Sequence, residues 1–321
     1  MRITCFGLIG LIFGIAFHPV SSLAQPWPTR TVKIVTPFPP GSGGDVTARP
    51  FADALARRWR TPVVVENRPG ADGIVAVSAV LGAQDGHTIL YTNGGPLTSI
   101  QLSHGSKLPY DPTRDLVPIS GGAEVFVGIA VPASLSVGSL TEFVTLARSK
   151  SGQFNWGATP GSLLYLLPGF FKSSGIDMAR IPYRDVASAM QDLSQARLHF
   201  YVAGLATHLA MAQTGLIKVI AVTNKVRSPA MPEVPTAIEE GFPDLNYEAF
   251  LGFFGPRSMT EALRDRISAD VRAAGADSDL AGKFTAMGMT VRVTTPVELE
   301  SIIANERAAL KRMTAASSTD R

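Results

Sequence analysis

The chain has 321 residues, 45% hydrophobic and 17% charged, which describes a packed protein with room for two domains and excludes a disordered one. Its 29 basic and 26 acidic residues leave a formal charge of +3. With basic residues scattered apart from ARRWR at 56–60, charge gives no reason to expect nucleic acid as a partner.

The first element reads as a secretory signal peptide. Arg2 is followed by the apolar run CFGLIGLIFGIAF (5–17), and Ser22-Leu23-Ala24 supplies small residues for cleavage after Ala24. The run is short for a bilayer span and His18-Pro19 ends it, so residues 1–24 are expected to be removed and the protein to be periplasmic. Cys5, the single cysteine, lies inside this segment. A mature chain without cysteine excludes disulfides, thiolate catalysis and Cys-ligated metals.

Strand and helix patterns then alternate. TVKIVTP (31–37) is a strand, and a helix follows Asp45. TPVVVENRPG (61–70) is a strand and turn, ADGIVAVSAVLGAQ (71–84) a helix, and HTILYTN (87–93) a third strand. SLTEFVTLARSK (139–150) is a helix capped by Ser139. QFNWG (153–157), ARIPY (179–183), RLHFYVAG (197–204) and LIKVIAVT (216–223) are strands, with helices at SLLYLLPGFFK and DVASAMQDLSQ. Two helices, within 256–275 and 296–313, close the chain. Strands separated by single helices imply open α/β sheets with mostly parallel pairing. If the chain forms two lobes, it crosses between them at 120–131 and 245–256. Residues 25–125 and 245–321 then form lobe 1 and residues 126–244 form lobe 2, with a hinged cleft between.

Three loops carry polar chemistry. In PFPPGSGGD (37–45), the amides of Gly41, Ser42, Gly43 and Gly44 are free to turn toward an anion, and the following helix adds its positive end. The loop lacks the Lys-Ser/Thr of a P-loop and the spacing of a dinucleotide fingerprint. A plain turn with Asp45 as helix cap accounts for it equally well. GATPGS (157–162) repeats the strand-to-helix context with Thr159, Gly161 and Ser162, which suggests an anion clamped from both sides. TNGGPLTS (92–99) offers Thr92, Asn93 and Thr98 as pocket-wall contacts or as a solvated turn. Past the strand at 179–183, Tyr183 and Arg184 face either the cleft or solvent.

No catalytic or metal constellation stands out. The five histidines lack metal spacing, and there is no G-x-S-x-G elbow. His87 follows Asp85-Gly86 and reads as a surface residue, whereas His199 and His208 read as core or edge residues. With no identifiable nucleophile, metal set or cofactor fingerprint an enzyme is not favoured, no metal is expected, and the protein is expected to be a monomer.

Together, WPTRTVKIVTPFPPGSGGD, TPVVVENRPGADG, DGHTIL, KLPYDPTRDL, IPYRD, LIKVIAVTNKVRSPAMPEVPTAIEEGFP and FFGP, in that order, resemble the extracytoplasmic solute receptors of tripartite tricarboxylate transporters, the Bug family. The resemblance covers essentially the whole mature chain. It implies a two-lobe periplasmic binding protein fold of type II, a small carboxylate ligand in the cleft, delivery to membrane permease subunits, and neither cofactor nor catalysis. By position it implies first-lobe contacts from Phe38, Gly41, Ser42, Gly43, Gly44, Asp45, Thr92 and Asn93. Second-lobe contacts would come from Thr159, Gly161, Ser162, Tyr183, Ala203 and Gly204. The family loop carries more glycine and a Thr before the Asp, where this chain has Ser42 and Gly44. The family's second-lobe loop is usually followed by His, and here Tyr165 falls near that position. The family often has Asp at the FYVAG strand end, where this chain has Ala203. Losing that carboxylate removes a partner for an amino group, so a simple or aromatic carboxylic acid is expected rather than an amino acid. Trp156 and Tyr165 offer an aromatic contact or belong to the core. A ligand-sensing partner of a membrane regulator uses the same clamp, and an enzyme acting on an anionic substrate is the further alternative.

Overall fold

The alternating patterns fold into two sheets flanked by helices. The computed structural model describes residues 27–183 and 185–318, so the expected signal peptide, Cys5 and Arg184 lie outside the described residues. The first elements are β1 (Val32–Thr36), α1 (Gly43–Trp59), β2 (Val63–Asn67), α2 (Ile74–Ala83), β3 (Thr88–Asn93), α3 (Ile100–His104) and β4 (Leu116–Val125). Next come β5 (Val127–Pro132), α4 (Leu140–Ser149), β6 (Phe154–Ala158), α5 (Leu163–Ser173), β7 (Met178–Arg180) and α6 (Val186–Ser194). Then follow β8 (Phe200–Gly204), α7 (Leu205–Gln213), β9 (Ile217–Val222) and β10 (Ala249–Pro256). Last are α8 (Glu261–Gly275), α9 (Ser278–Ala286), β11 (Met289–Val291) and α10 (Pro296–Ser318).

The first sheet has the order β11-β4-β10-β3-β1-β2 and the second β7-β6-β8-β5-β9. Pairing is mixed, not mostly parallel. β1 pairs in parallel with β2 and β3, and β6 with β7 and β8. The pairs that involve β4, β5, β10 or β11 are antiparallel. Parallel neighbours need a helical crossover. β4, β5 and β10 flank places where the chain passes from sheet to sheet without one.

Alternation along each strand divides the core into layers. Ile34 and Phe253 face the cluster with Phe51, Leu55 and Ile267, whereas Val35 and Phe254 face the one with Val77, Leu299 and Ile303. In the second sheet Ile129 and Phe200 face Phe143 and Phe170, whereas Ala130 and Tyr201 face Met190 and Leu205. Burying each large side chain stabilises by about 1.5–3 kcal/mol.

Helix starts follow their caps. Ser139, Asp185 and Thr260 each accept a first-turn amide with the side chain, from Glu142, Ser188 and Leu263 respectively.

The two passages between sheets are laced together. Asn224, fully buried, accepts from the Val127 amide at 3.0 Å and donates to the Val125 carbonyl at 3.2 Å. The Thr223 amide donates to the Val127 carbonyl at 2.9 Å, and its hydroxyl donates to the Tyr247 carbonyl at 2.8 Å. Helix α10 packs on β4 of the first sheet and on α5 beside the second.

Candidate functional site

In the loop after β1, helix α1 begins at Gly43, with Ser42 at its N-cap. Ser42 makes no capping bond; its hydroxyl donates back to the Pro39 carbonyl at 2.7 Å. Asp45, expected as the cap, is therefore inside the first turn. Its carboxylate is 1% exposed and accepts from the Gly41 amide (2.9 Å), Asn67 Nδ2 (2.7 Å), and Arg49 Nε (3.0 Å) and Nη2 (2.8 Å). Burial pushes this carboxyl up, but the donations from Arg49, Asn67 and Gly41 outweigh it and hold the group below the usual range.

The loop is thus braced by its own acid, and the Gly41 amide is spent on Asp45 rather than turned to a ligand. Gly41 takes φ +80°, which glycine permits without strain. The amides of Gly43 and Gly44 lie in the first turn, where helix geometry supplies no acceptor. The half-buried Phe38 ring lies against Gly44, so close that a Cβ there would overlap it. Asn67 Nδ2 also donates to the Phe38 carbonyl at 2.9 Å, which fixes the strand exit.

The ends of three segments converge here. A Cβ on Gly73 would fall 2.6 Å from Pro96 Cγ and 3.6 Å from Pro37 Cβ. Thr92 is fully buried in β3, and its hydroxyl has no partner among the described residues. Asn93 is half-buried at the strand end, opposite Leu251.

In the second sheet, the Thr159 amide extends the β6–β8 pairing by donating to the Val202 carbonyl at 3.1 Å. Gly161 takes φ +123°, which suits glycine at this turn. Tyr183 leans on Gly157 and donates its hydroxyl to Asp192 at 2.9 Å. Asp192 also accepts from Arg197 Nε at 2.8 Å. Burial, with Asp192 adding to it, pushes the Tyr183 hydroxyl up, so it stays protonated. Ala203 is fully buried opposite Gly128, and Gly204 precedes α7 as its N-cap. Thr159, Tyr183, Ala203 and Gly204 therefore share one sheet edge. Trp156 is 3% exposed and packs on Phe171, so of its two readings, aromatic ligand contact or core, it takes the core one. Tyr165 is half-buried on α5.

Ser162 behaves differently from its neighbours. It is 2% exposed and donates its hydroxyl to Glu306 Oε1 at 2.5 Å. Thr98 donates to the same oxygen at 3.0 Å, and Tyr247 bonds to this carboxylate as well. Glu306 is 8% exposed, and burial pushes its carboxyl up. Sequence reasoning missed Glu306 and Tyr247. The signal for Glu306 was present: Leu299, Ile303, Glu306 and Leu310 form one helical stripe, and all are buried.

The turn that leads into β11 touches α1 on its own side and α7 beside the second sheet. A Cβ on Gly43 would lie 3.4 Å from Met289 Cε, and one on Gly288 would lie 3.3 Å from Leu209 Cδ1 and 3.6 Å from the Ala206 nitrogen. The turn at 288–289 thus touches the starts of both α1 and α7. A cavity of about 390 Å³ bordered by Arg292, Thr294, Val297 and Ile302 contains none of the expected site residues.

The histidines take structural places. His87 is 8% exposed, so the expectation of a surface residue is corrected. Its Nε2 accepts from the Thr29 amide at 3.1 Å, and its ring lies tilted by 36° against Trp27, centroids 5.8 Å apart, which draws the turn inward. His199 packs on Phe154 with centroids 4.6 Å apart. His208 is fully buried, with Nε2 3.2 Å from the Gly128 carbonyl and its titration pushed down to about 4 by burial. Among the described residues no His, Cys, Asp and Glu group is placed to hold a metal ion.

Known proteins share this architecture. Protein BugT of Bordetella pertussis is 27% identical over 302 residues, 93% of each chain. A UPF0065 protein of Bordetella bronchiseptica is 30% identical over 296 residues, 88% of this chain and 87% of that one. Among solved structures, MatC from Rhodopseudomonas palustris with bound malate aligns with a TM-score of 0.74 at 26% identity, covering 90% of this chain and 100% of that one. The R. palustris protein Rpa4515 with adipate aligns with a TM-score of 0.79 at 25% identity, covering 90% and 98%. The family model described as tripartite tricarboxylate transporter family receptor matches residues 47–318. With a sheet pair of the periplasmic binding protein kind and this match over most of its length, the chain belongs to the tripartite tricarboxylate transporter receptor family.

Proposed function

We propose that the protein is a periplasmic receptor that captures a small organic carboxylate between two lobes and passes it to the permease subunits of a tripartite tricarboxylate transporter. The lobes in this reading are residues 25–125 with 245–321, and residues 126–244, hinged where Thr223 and Asn224 lace the crossings. Export follows from a signal peptide over residues 1–24, and the receptor acts as a monomer.

The observation that carries the reading is the start of α1. Asp45 is turned onto Gly41, Arg49 and Asn67, so the first-turn amides of Gly43 and Gly44 keep their donor capacity and the helix keeps its positive end. That end suits a carboxylate. Relatives support the ligand class, since MatC is seen with malate and Rpa4515 with adipate. In the second lobe Thr159, Gly161, Tyr183 and Gly204 line the facing edge, with Ala203 buried directly behind them. Ser162 contributes indirectly, because its hydroxyl is engaged by Glu306. Ala203 offers no carboxylate for an amine, which favours an acid without an amino group.

A thermal-shift screen tests this reading. A ligand present at about 100 times its Kd stabilises the native state by about 2.7 kcal/mol, which raises Tm. Malate, adipate and benzoate are the first probes; Tm values that stay fixed across a wide panel of organic acids contradict the proposal.

A further inference from the structure

A single buried carboxylate reaches elements of both sheets. Glu306 projects from α10 and is 8% exposed. Its Oε1 accepts from Thr98, in the loop after β3, at 3.0 Å and from Ser162, at the start of α5, at 2.5 Å. Tyr247, on the return crossing toward β10, bonds to it as well. Gly94 lies so close that any Cβ there would overlap the carboxylate. The adjacent Arg307 does not neutralise it by direct bonding: its Nε and Nη2 both donate to the Leu97 carbonyl, at 3.0 and 2.8 Å.

We propose that Glu306 is the positioning residue that couples the two lobes, holding the loop after β3 in one and the start of α5 in the other on one carboxylate. Its ionisation sets how firmly they are held. This rests on the two-lobe reading and not on the identity of any ligand. The chemistry is specific to a carboxylate. Ionised, it accepts only, and bonds to a charged acceptor are roughly twice as strong as neutral ones. Protonated, it keeps a carbonyl acceptor and gains a donor, which a hydroxyl can accept by turning its own hydrogen aside, as Thr98 can toward the Gly94 carbonyl at 2.9 Å, and the cost of a buried charge is lifted. The charged or titratable groups facing it are Tyr247 and Arg307, and Arg307 in turn feels Asp111 and Glu300. Burial moves the exchange above the ordinary glutamate range. The arrangement lies directly behind GATPGS and TNGGPLTS, so it aligns the two loops that face a ligand.

Spin labels on the full chain carrying Cys5→Ser test the coupling without any ligand. Exposed Ala262 on α8 and exposed Gln191 on α6 place one label in each lobe as Ala262→Cys and Gln191→Cys. Electron–electron resonance then reads the interlobe distance distribution against pH. The expected native result is a distribution that is narrow when Glu306 is protonated and widens as pH rises through its titration, because a carboxyl raised by burial holds its proton more tightly in the coupled arrangement than in a loosened one. Glu306→Ala should be wide throughout, and Glu306→Gln should keep a partly narrowed distribution that ignores pH. Ser162→Ala, which removes a donor and leaves the carboxyl in place, should widen the distribution on the narrow, lower-pH limb and decides the matter if Glu306→Ala does not fold. A Ser162→Ala distribution superimposing on the native one, or a Glu306→Gln distribution that keeps the native pH response, overturns the proposal. Ligand titration plays no part in either outcome, so the receptor reading stands or falls separately.

Discussion

Asp45 shows how one side chain shapes the candidate site. It occupies the loop where an anion is expected, yet its four donors turn its charge away from the α1 amides. Asp45→Ala removes these bonds and leaves the Gly41 amide unpaired, while Asn67 keeps only its bonds with the Phe38 carbonyl and Arg49, so a loss of about 2–3 kcal/mol is expected in urea denaturation. The pH sign follows from its depressed carboxyl. The stability it contributes is present above the unfolded value and is lost as pH falls through the folded one, so the variant should show a shallower loss of stability in acid.

The two neighbouring glycines separate binding from packing. Gly43→Val meets only the flexible Met289 terminus, and is expected to keep the native Tm within a few degrees while abolishing ligand binding in calorimetry. Gly44→Ala drives a methyl into the Phe38 ring, and should lower Tm as well as affinity. At this scale the sequence was informative about place and less so about role. The glycine-rich loop announced itself by composition. Spending Gly41's amide on Asp45, and Ser162's hydroxyl on Glu306, depended on partners 4 and 144 residues away along the chain.

Among elements, local patterns were legible where a cap or a period marked them. Ser139 and Asp185 begin α4 and α6 because their oxygens accept first-turn amides. The strand expected over 179–183 shrinks to β7, since Pro182 has no amide to give to a ladder. Helices α7 and α9 had no expectation, because α7 starts directly from a strand at Gly204 and α9 is short. The antiparallel insertion of β10 between β3 and β4 was beyond local pattern altogether, as it joins segments far apart in the chain.

Helix α7 carries its own pH test. His208 is buried against Tyr201 and the Gly128 carbonyl, and burial pushes its titration down to about 4. The unfolded chain takes up that proton first, so the native state loses stability as pH falls from the ordinary histidine value toward the folded one. The loss over that interval is up to about 3 kcal/mol. His208→Leu should flatten this part of the stability curve, as read by denaturation midpoints; an unchanged slope would place the proton uptake elsewhere.

At the scale of the whole molecule, the two sheets are joined by two laced crossings, by α10 and by the turn at 288–289. The crossings are laced by hydroxyls and amides, the turn at 288–289 meets Leu209 and Ala206, and α10 packs along α5. Ligand closure in this account is a population shift, driven by whatever bonds the carboxylate makes to both lobes that it cannot make to one. The architecture was legible from the alternation of strand and helix and from the ordered motifs of the family. The pairing directions and the buried coupling through Glu306 emerged only when the chain was folded. The central claim is capture of a small organic acid without an amino group, and calorimetric titration with malate, adipate and benzoate against aspartate and glutamate tests it most directly. The account predicts saturable binding of at least one of the first three, abolished by Gly43→Val, and no binding of the amino acids. Tight binding of aspartate or glutamate with none of the simple acids would contradict it.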